Sequence, residues 1–148
     1  MKARNFFALF LPMLFSSLVV VGQSAEKILV KSIPLGAFQE VQLDFKGAEV
    51  EVREWNNPYL RIQMTVALEN GTDAVLKAFV RSGRYNIVAK PGEDFLQVLI
   101  PGINRKAVVG SEPAVENFKF VVYKPNLLKE TTDEATAASA PIVLSALR

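Results

Sequence analysis

Leu60-Arg61-Ile62-Gln63-Met64-Thr65-Val66-Ala67-Leu68 is the stretch that decides the fold of this chain. Large apolar side chains stand at every second position, and the residues between them are polar or small. A strand sends successive side chains to opposite faces, so this spacing predicts a strand with one buried and one solvated face. A helix would need its apolar residues three and four apart.

The same period continues on both sides. Val41, Leu43 and Phe45 alternate with Gln42 and Asp44, and Ala48, Val50 and Val52 alternate with Glu49, Glu51 and Arg53. Lys46-Gly47 lies between these runs and predicts either a tight hairpin or a bulged, bent strand. Asn56-Asn57-Pro58 separates the second run from Leu60, and Pro58 cannot occupy a central strand position. Ile28 to Ile33 predicts a first strand, ended by Pro34-Leu35-Gly36. Beyond Leu68, Asn70-Gly71 makes a turn and Thr72 or Asp73 caps a short helix near 72–82. Val75, Leu76, Phe79 and Val80 share a face of that helix, and Ser82-Gly83 ends it. Tyr85, Ile87 and Ala89 start another strand. Phe95 to Ile100 follows, and Phe118, Phe120 and Val122 begin a last strand that Pro125 stops. Residues 103–116 lack periodicity and are expected to form a mobile loop. The expected fold is mostly β: a small β-sandwich or truncated β-roll/solenoid of about six to eight strands, with one short helix.

The two ends differ in composition from the middle. Lys2 and Arg4 precede an apolar run from Phe6 to Val21, and small residues of Gly22-Gln23-Ser24 follow. This is the order of a secretory signal peptide, residues 1–24, cleaved after Ser24. The run is short for a span of about 20 residues and is interrupted by Pro12, Ser16 and Ser17. The expectation is therefore an exported protein of the periplasm or extracellular space, with no stable membrane span after cleavage. Residues 25–128 form a single β domain. Residues 129–148 read as a disordered tail, because Glu130 to Ala140 has no large apolar residue to offset its ordering entropy. The tail carries a short apolar segment, Pro141 to Leu147, that either docks as a strand or helical turn or frays.

Removing residues 1–24 also removes the chain's net charge. Of 17 Lys+Arg and 15 Asp+Glu, Lys2 and Arg4 lie in that segment and no acid does, which leaves 15 of each sign. A neutral chain with interspersed signs lacks the basic patch that nucleic acid or an anionic membrane requires. There are no cysteines and no histidines. The first absence excludes a disulfide framework and a lipidated cysteine. The second excludes Ser–His–Asp and Cys–His catalysis and His-containing zinc or haem sites. Carboxylate chemistry, Ser–Lys chemistry and all-oxygen metal sites remain. Gly36, Gly102 and Gly110 form no phosphate loop, and Asp73, Glu93 and Asp94 form no calcium loop. No catalytic, cofactor-binding or metal-binding residue is assigned, and no cofactor is expected.

Three residues are candidates for ligand or partner contact: Glu49, Glu51 and Trp55. Alternation places the two glutamates on one strand face, about 7 Å apart, a spacing suited to an acid/base pair or a hard cation. Polar residues at such positions are also the ordinary solvated face of a half-buried strand, cross-paired with lysines or arginines. Trp55, the single tryptophan, suits stacking on a sugar ring or anchoring a protein, and equally the edge of a core. Asn70-Gly71-Thr72 matches a glycosylation sequon but is also a common tight turn. Arg81-Ser82-Gly83-Arg84-Tyr85 is a basic-aromatic cluster able to bind an anion or to satisfy helix C-terminal carbonyls.

Several of these stretches carry a resemblance. They are the signal segment, Phe38-x-x-Val41-x-Leu43, Val50-x-Val52-x-x-Trp55 and Leu60-x-Ile62-x-Met64-x-Val66, then the short helix, Gly83-Arg84-Tyr85-Asn86-Ile87 and Phe120-Val121-Val122-Tyr123-Lys124-Pro125. Over about residues 34–126 this order resembles exported bacterial β-rich proteins of the auto-transporter adhesin head GIN domain family. The resemblance implies strand rungs stacked into a solenoid-like prism and carries over no catalytic residue. Unlike the family, this chain lacks further Gly-rich rungs.

The functional expectation is an exported, non-enzymatic envelope or extracellular interaction or structural module, its partner an envelope protein or a glycan. The alternative is a carbohydrate-binding or carboxylate-based glycan-acting protein that uses Glu49, Glu51 and Trp55.

Overall fold

The computed structural model describes residues 24–126, 128–131 and 142–146. Of the expected signal peptide, only Ser24 lies among them. The deciding stretch is a strand as its spacing predicts. We number elements in chain order, and this one is the fourth strand, β4 (Tyr59–Leu68); Leu60, Ile62, Met64, Val66 and Leu68 are all fully buried. It runs antiparallel to both its neighbours, β1 (Ala25–Pro34) and β9 (Glu116–Pro125), so that Met64 faces Leu29 on one side and Phe120 on the other. The strand β3 (Glu49–Trp55) pairs with β9 in parallel and completes a four-stranded sheet in the order β1-β4-β9-β3.

A second, five-stranded sheet lies against the first. It is built from β2 (Glu40–Asp44), β5 (Val88–Pro91), β6 (Phe95–Leu99), β10 (Leu128–Thr131) and β11 (Ile142–Ala146), in the order β10-β11-β2-β6-β5. Val41, Leu43, Leu96, Val98 and Leu144 from this sheet form one core with the buried row of β4 and with Phe120 and Val122. Phe45 stacks on Phe120 across the layers, with ring centroids 4.2 Å apart and planes 7° from parallel. Burial of two facing apolar rows is what holds such a sandwich together. The fold is thus mostly β with one helix. The sandwich, of the architectures expected, is the one observed. Solenoid rungs would pair in parallel throughout, whereas β1, β4 and β9 form an antiparallel ladder.

The structure departs from the sequence reading in several places. Eleven strands occur among the described residues, against the six to eight that about one strand per alternating run would give. Lys46-Gly47 does not close a hairpin, because β2 and β3 belong to different sheets. Positive φ at Lys46 (27°) and Gly47 (74°) bends one continuous run out of the five-stranded sheet into the four-stranded one, a conformation that favours glycine. Residues 103–116 are not a plain loop. Pro101–Asn104 is a 3₁₀ turn, and β7 (Val108–Val109) pairs with β8 (Glu112–Pro113). In the tail, residues 129–131 belong to β10 rather than to a disordered stretch, and the apolar segment takes the first of its expected alternatives and docks as a strand: β10 pairs with β11, and β11 with β2. Residues 132–141 and 147–148 lie outside the described residues. The short apolar run around Leu144 is enough to extend the sheet once β2 offers a free edge.

The helix α1 (Asp73–Arg81) starts and ends on signals in the sequence. Thr72 Oγ1 accepts a hydrogen bond from the Val75 N–H, and Lys77 and Asp73 pair one turn apart at 2.5 Å. At the other end Gly83 takes φ 76°, its N–H donates to Val80 O, and the Arg84 N–H donates to Phe79 O. This is a Schellman termination, which needs a left-handed residue and so favours glycine. It turns Arg84 and Tyr85 back toward the core, so the strand expected to start at Tyr85 begins only at Val88.

Candidate functional site

The four-stranded sheet has one face on the core and one open. On the open face Ile28, Val30, Glu49, Glu51 and Arg53 are exposed, and Arg61, Gln63, Thr65 and Tyr123 are half-buried. The ladder registers sort its residues into rows across all four strands. One row is Ile28, Thr65, Lys119 and Glu49; the next is Val30, Gln63, Val121 and Glu51; the third is Ser32, Arg61, Tyr123 and Arg53. Beyond the third row, Pro34 pairs with Tyr59 and Trp55 with Pro125. Chemistry is therefore graded along the strands: mixed charged, polar and aliphatic at one end, aromatic and arginine-rich at the other.

The aromatic end is a contiguous cluster. Trp55 meets Tyr59 edge-on at 4.8 Å between centroids and Tyr123 at 5.5 Å. Its indole N–H donates to the Tyr59 carbonyl at 2.9 Å, which fixes the ring orientation. The guanidinium groups of Arg53 and Arg61 lie 5.9 and 5.8 Å from the Tyr123 ring centroid, one from each neighbouring strand. All five side chains stand on odd-numbered positions, the solvated phase of their strands.

The predicted residues occupy this same face. Glu49 and Glu51 share it as their alternation requires, but they do not converge on a cleft. Glu51 is held by Arg53 at 2.7 Å and Glu49 by Lys119 at 3.3 Å. The hydrogen bond from Arg53 keeps the Glu51 carboxyl below the usual carboxylate range, and the same bond raises the Arg53 guanidinium. Each carboxylate thus has a structural cation as its partner, the cross-pairing expected of a solvated strand face. Trp55 is half-buried, with its ring among Tyr59 and Tyr123 rather than in the core.

Arg61 differs from Arg53. It has no carboxylate within salt-bridge reach among the described residues, and its buried Nε has no hydrogen-bond partner. It is the cation on this face with charge to spare. Tyr59, Arg61 and Tyr123 escaped the sequence reading although their phase was legible: they sit between the core residues of β4 and β9. Only the strand order, which brings β3 beside β9, makes them neighbours of Trp55.

The Arg81–Tyr85 cluster also resolves. It does bind an anion, and the anion is Glu116 of the same chain. Arg84 Nε donates to Glu116 at 2.8 Å, its Nη2 reaches the other carboxylate oxygen at 2.5 Å, and the Tyr85 hydroxyl donates to Glu116 as well. Arg84 Nη1 donates to the carbonyls of Gly102 and Arg105. Both charged side chains are about nine-tenths buried. Burial pulls the Glu116 carboxyl up, but the hydrogen bonds from Arg84 and Tyr85 and the Arg84 charge outweigh it and leave the group below its usual range. The Tyr85 hydroxyl is pushed up, first by burial and then by donation to Glu116. The pair joins the stretch that follows α1 to the start of β9.

Among the described residues no group of three or more acidic side chains comes together to hold a metal ion, and no helix is long and apolar enough to cross a membrane. No known family, curated protein or solved structure matches this chain.

Proposed function

We propose that this protein is an exported, non-catalytic recognition module of the cell envelope or extracellular space, and that it binds carbohydrate through the open face of its four-stranded sheet. The observation that carries this reading is the cluster of Trp55, Tyr59 and Tyr123 flanked by Arg53 and Arg61. Aromatic faces stack on the apolar faces of sugar rings and bring large contact area at small entropic cost. Among the described residues Arg61 pairs with no carboxylate, which favours sugars that carry a carboxylate. Glu49 and Glu51 are engaged with Lys119 and Arg53 and serve in this reading to shape the face.

Affinity electrophoresis tests the proposal. The purified protein should be retarded in gels containing polygalacturonate and not in gels containing its methyl-esterified, neutral form. Arg61→Ala should abolish most of the retardation while the polymer keeps its length. Equal mobility in both gels, or shortening of the polymer, would contradict it.

A further inference from the structure

A second surface carries an independent inference. The strand β1 is ten residues long and stands at the edge of its sheet. Among the described residues no backbone hydrogen bond from another element reaches its outer edge. An unpaired edge of that length is a template for another strand, and proteins usually protect it. Here the side chains do the opposite on one face. Ile28 and Val30 are 54% and 50% exposed, two of the four exposed large hydrophobics among the described residues. On the other face Lys27 and Lys31 flank Leu29, and neither lysine has a salt-bridge partner among the described residues. Beside this edge lies a cleft of about 350 Å³, lined by Leu29, Val30, Lys31, Ile87 and Val88.

We infer that β1 is a docking edge for an extended protein segment with acidic residues flanking an apolar core, added as a further strand of the sheet. The main-chain groups of β1 would supply the pairing, and alternate side chains the selectivity. Opposite Lys27 and Lys31 the segment presents carboxylates; opposite Ile28, Leu29 and Val30 it presents apolar residues. Charge separates this partner from a second copy of the chain. In the antiparallel self-pairing that sets Ile28 against Val30, Lys27 falls opposite Lys31 on both sides, and like charges directly opposite are destabilising.

Hydrogen–deuterium exchange on the purified protein tests this inference separately from carbohydrate binding. The probe is a synthetic peptide in which glutamates flank a valine–leucine–valine core. It should slow exchange along β1 and leave Trp55 and its neighbours unchanged. The same peptide with lysines in place of the glutamates should bind about tenfold more weakly, from two cross-strand charge pairs reversed in sign. The Lys27→Glu, Lys31→Glu double variant should invert that preference, a result that loss of folding cannot mimic. Equal protection by both peptides, protection elsewhere than β1, or self-association of the protein through β1 would overturn the inference.

Discussion

The chemistry of single residues is clearest at the Arg84–Glu116 pair. A buried ion pair is weak evidence of net stabilisation, but removing one partner strands the other charge in a poorly solvated place, at about 3–5 kcal/mol. Glu116→Gln is therefore expected to lower stability by about 3 kcal/mol at neutral pH, measured by denaturant unfolding. The pH dependence has a definite sign. The Glu116 carboxyl lies below its ordinary value of 4.5 in the folded protein, so the stability it adds is present above that value and is lost as pH falls through the folded pKa. The gap between the native protein and Glu116→Gln should stay level above pH 4.5 and close below it. A gap that does not change with pH would show that the carboxylate charge is not what the variant removes. The sequence shows Arg84 and Tyr85 as a basic-aromatic cluster but cannot show that their anion lies thirty-odd residues away in sequence, since pairing across the chain leaves no periodic trace. Gly102 belongs to the same story. A Cβ there would come within 1.9 Å of the Arg84 carbonyl oxygen, so the 3₁₀ turn can approach Arg84 only with glycine at that place.

Elements were legible where one physical rule governed them. Period-2 alternation sufficed for β4, with its row of fully buried side chains, and capping residues sufficed for α1. Elements held by partners distant in sequence were not legible. The β7–β8 hairpin has short strands of two residues each, too few to show a period. It is tied down by Asn70, whose side-chain N–H donates to Pro113 O at 2.8 Å and whose Oδ1 accepts from the Val115 N–H at 2.9 Å. The sequence reads Asn70-Gly71 as a turn, which it is, and the Asn70 side chain also clamps the crossover to β9. Asn70→Ala should cost about 1–3 kcal/mol from two lost hydrogen bonds, with faster amide exchange confined to residues 108–115. Unchanged exchange there would mean that the hairpin is held by other contacts. The buried Lys124 escaped in the same way. Its ammonium donates to Glu54 at 2.6 Å and to the Leu128 carbonyl, joining β9 to β3 and β10.

Across the whole molecule, alternation along the sequence predicts the inner faces but not the order of the strands in the layers. Which residues turn inward follows from alternation alone. Which strands become neighbours follows from the path of the chain: β2 and β3, adjacent in sequence, part at Lys46-Gly47 and enter different sheets. That parting sets β3 beside β9 and so gathers Trp55, Tyr59, Arg61 and Tyr123 on the open face of the four-stranded sheet. The same strand order leaves β1 as a free edge on the far side of the sheet, so two binding surfaces of different chemistry arise from one arrangement. The open face is the central claim, and Trp55 reports on it directly because it is the only tryptophan in the chain. Titration of the purified protein with oligogalacturonate, followed by intrinsic tryptophan fluorescence, should give a saturable shift that Arg61→Ala weakens by about tenfold or more, the loss of one charge-assisted contact. A Trp55 spectrum that does not move at any concentration of the acidic oligosaccharide, or moves equally in Arg61→Ala, would contradict the account.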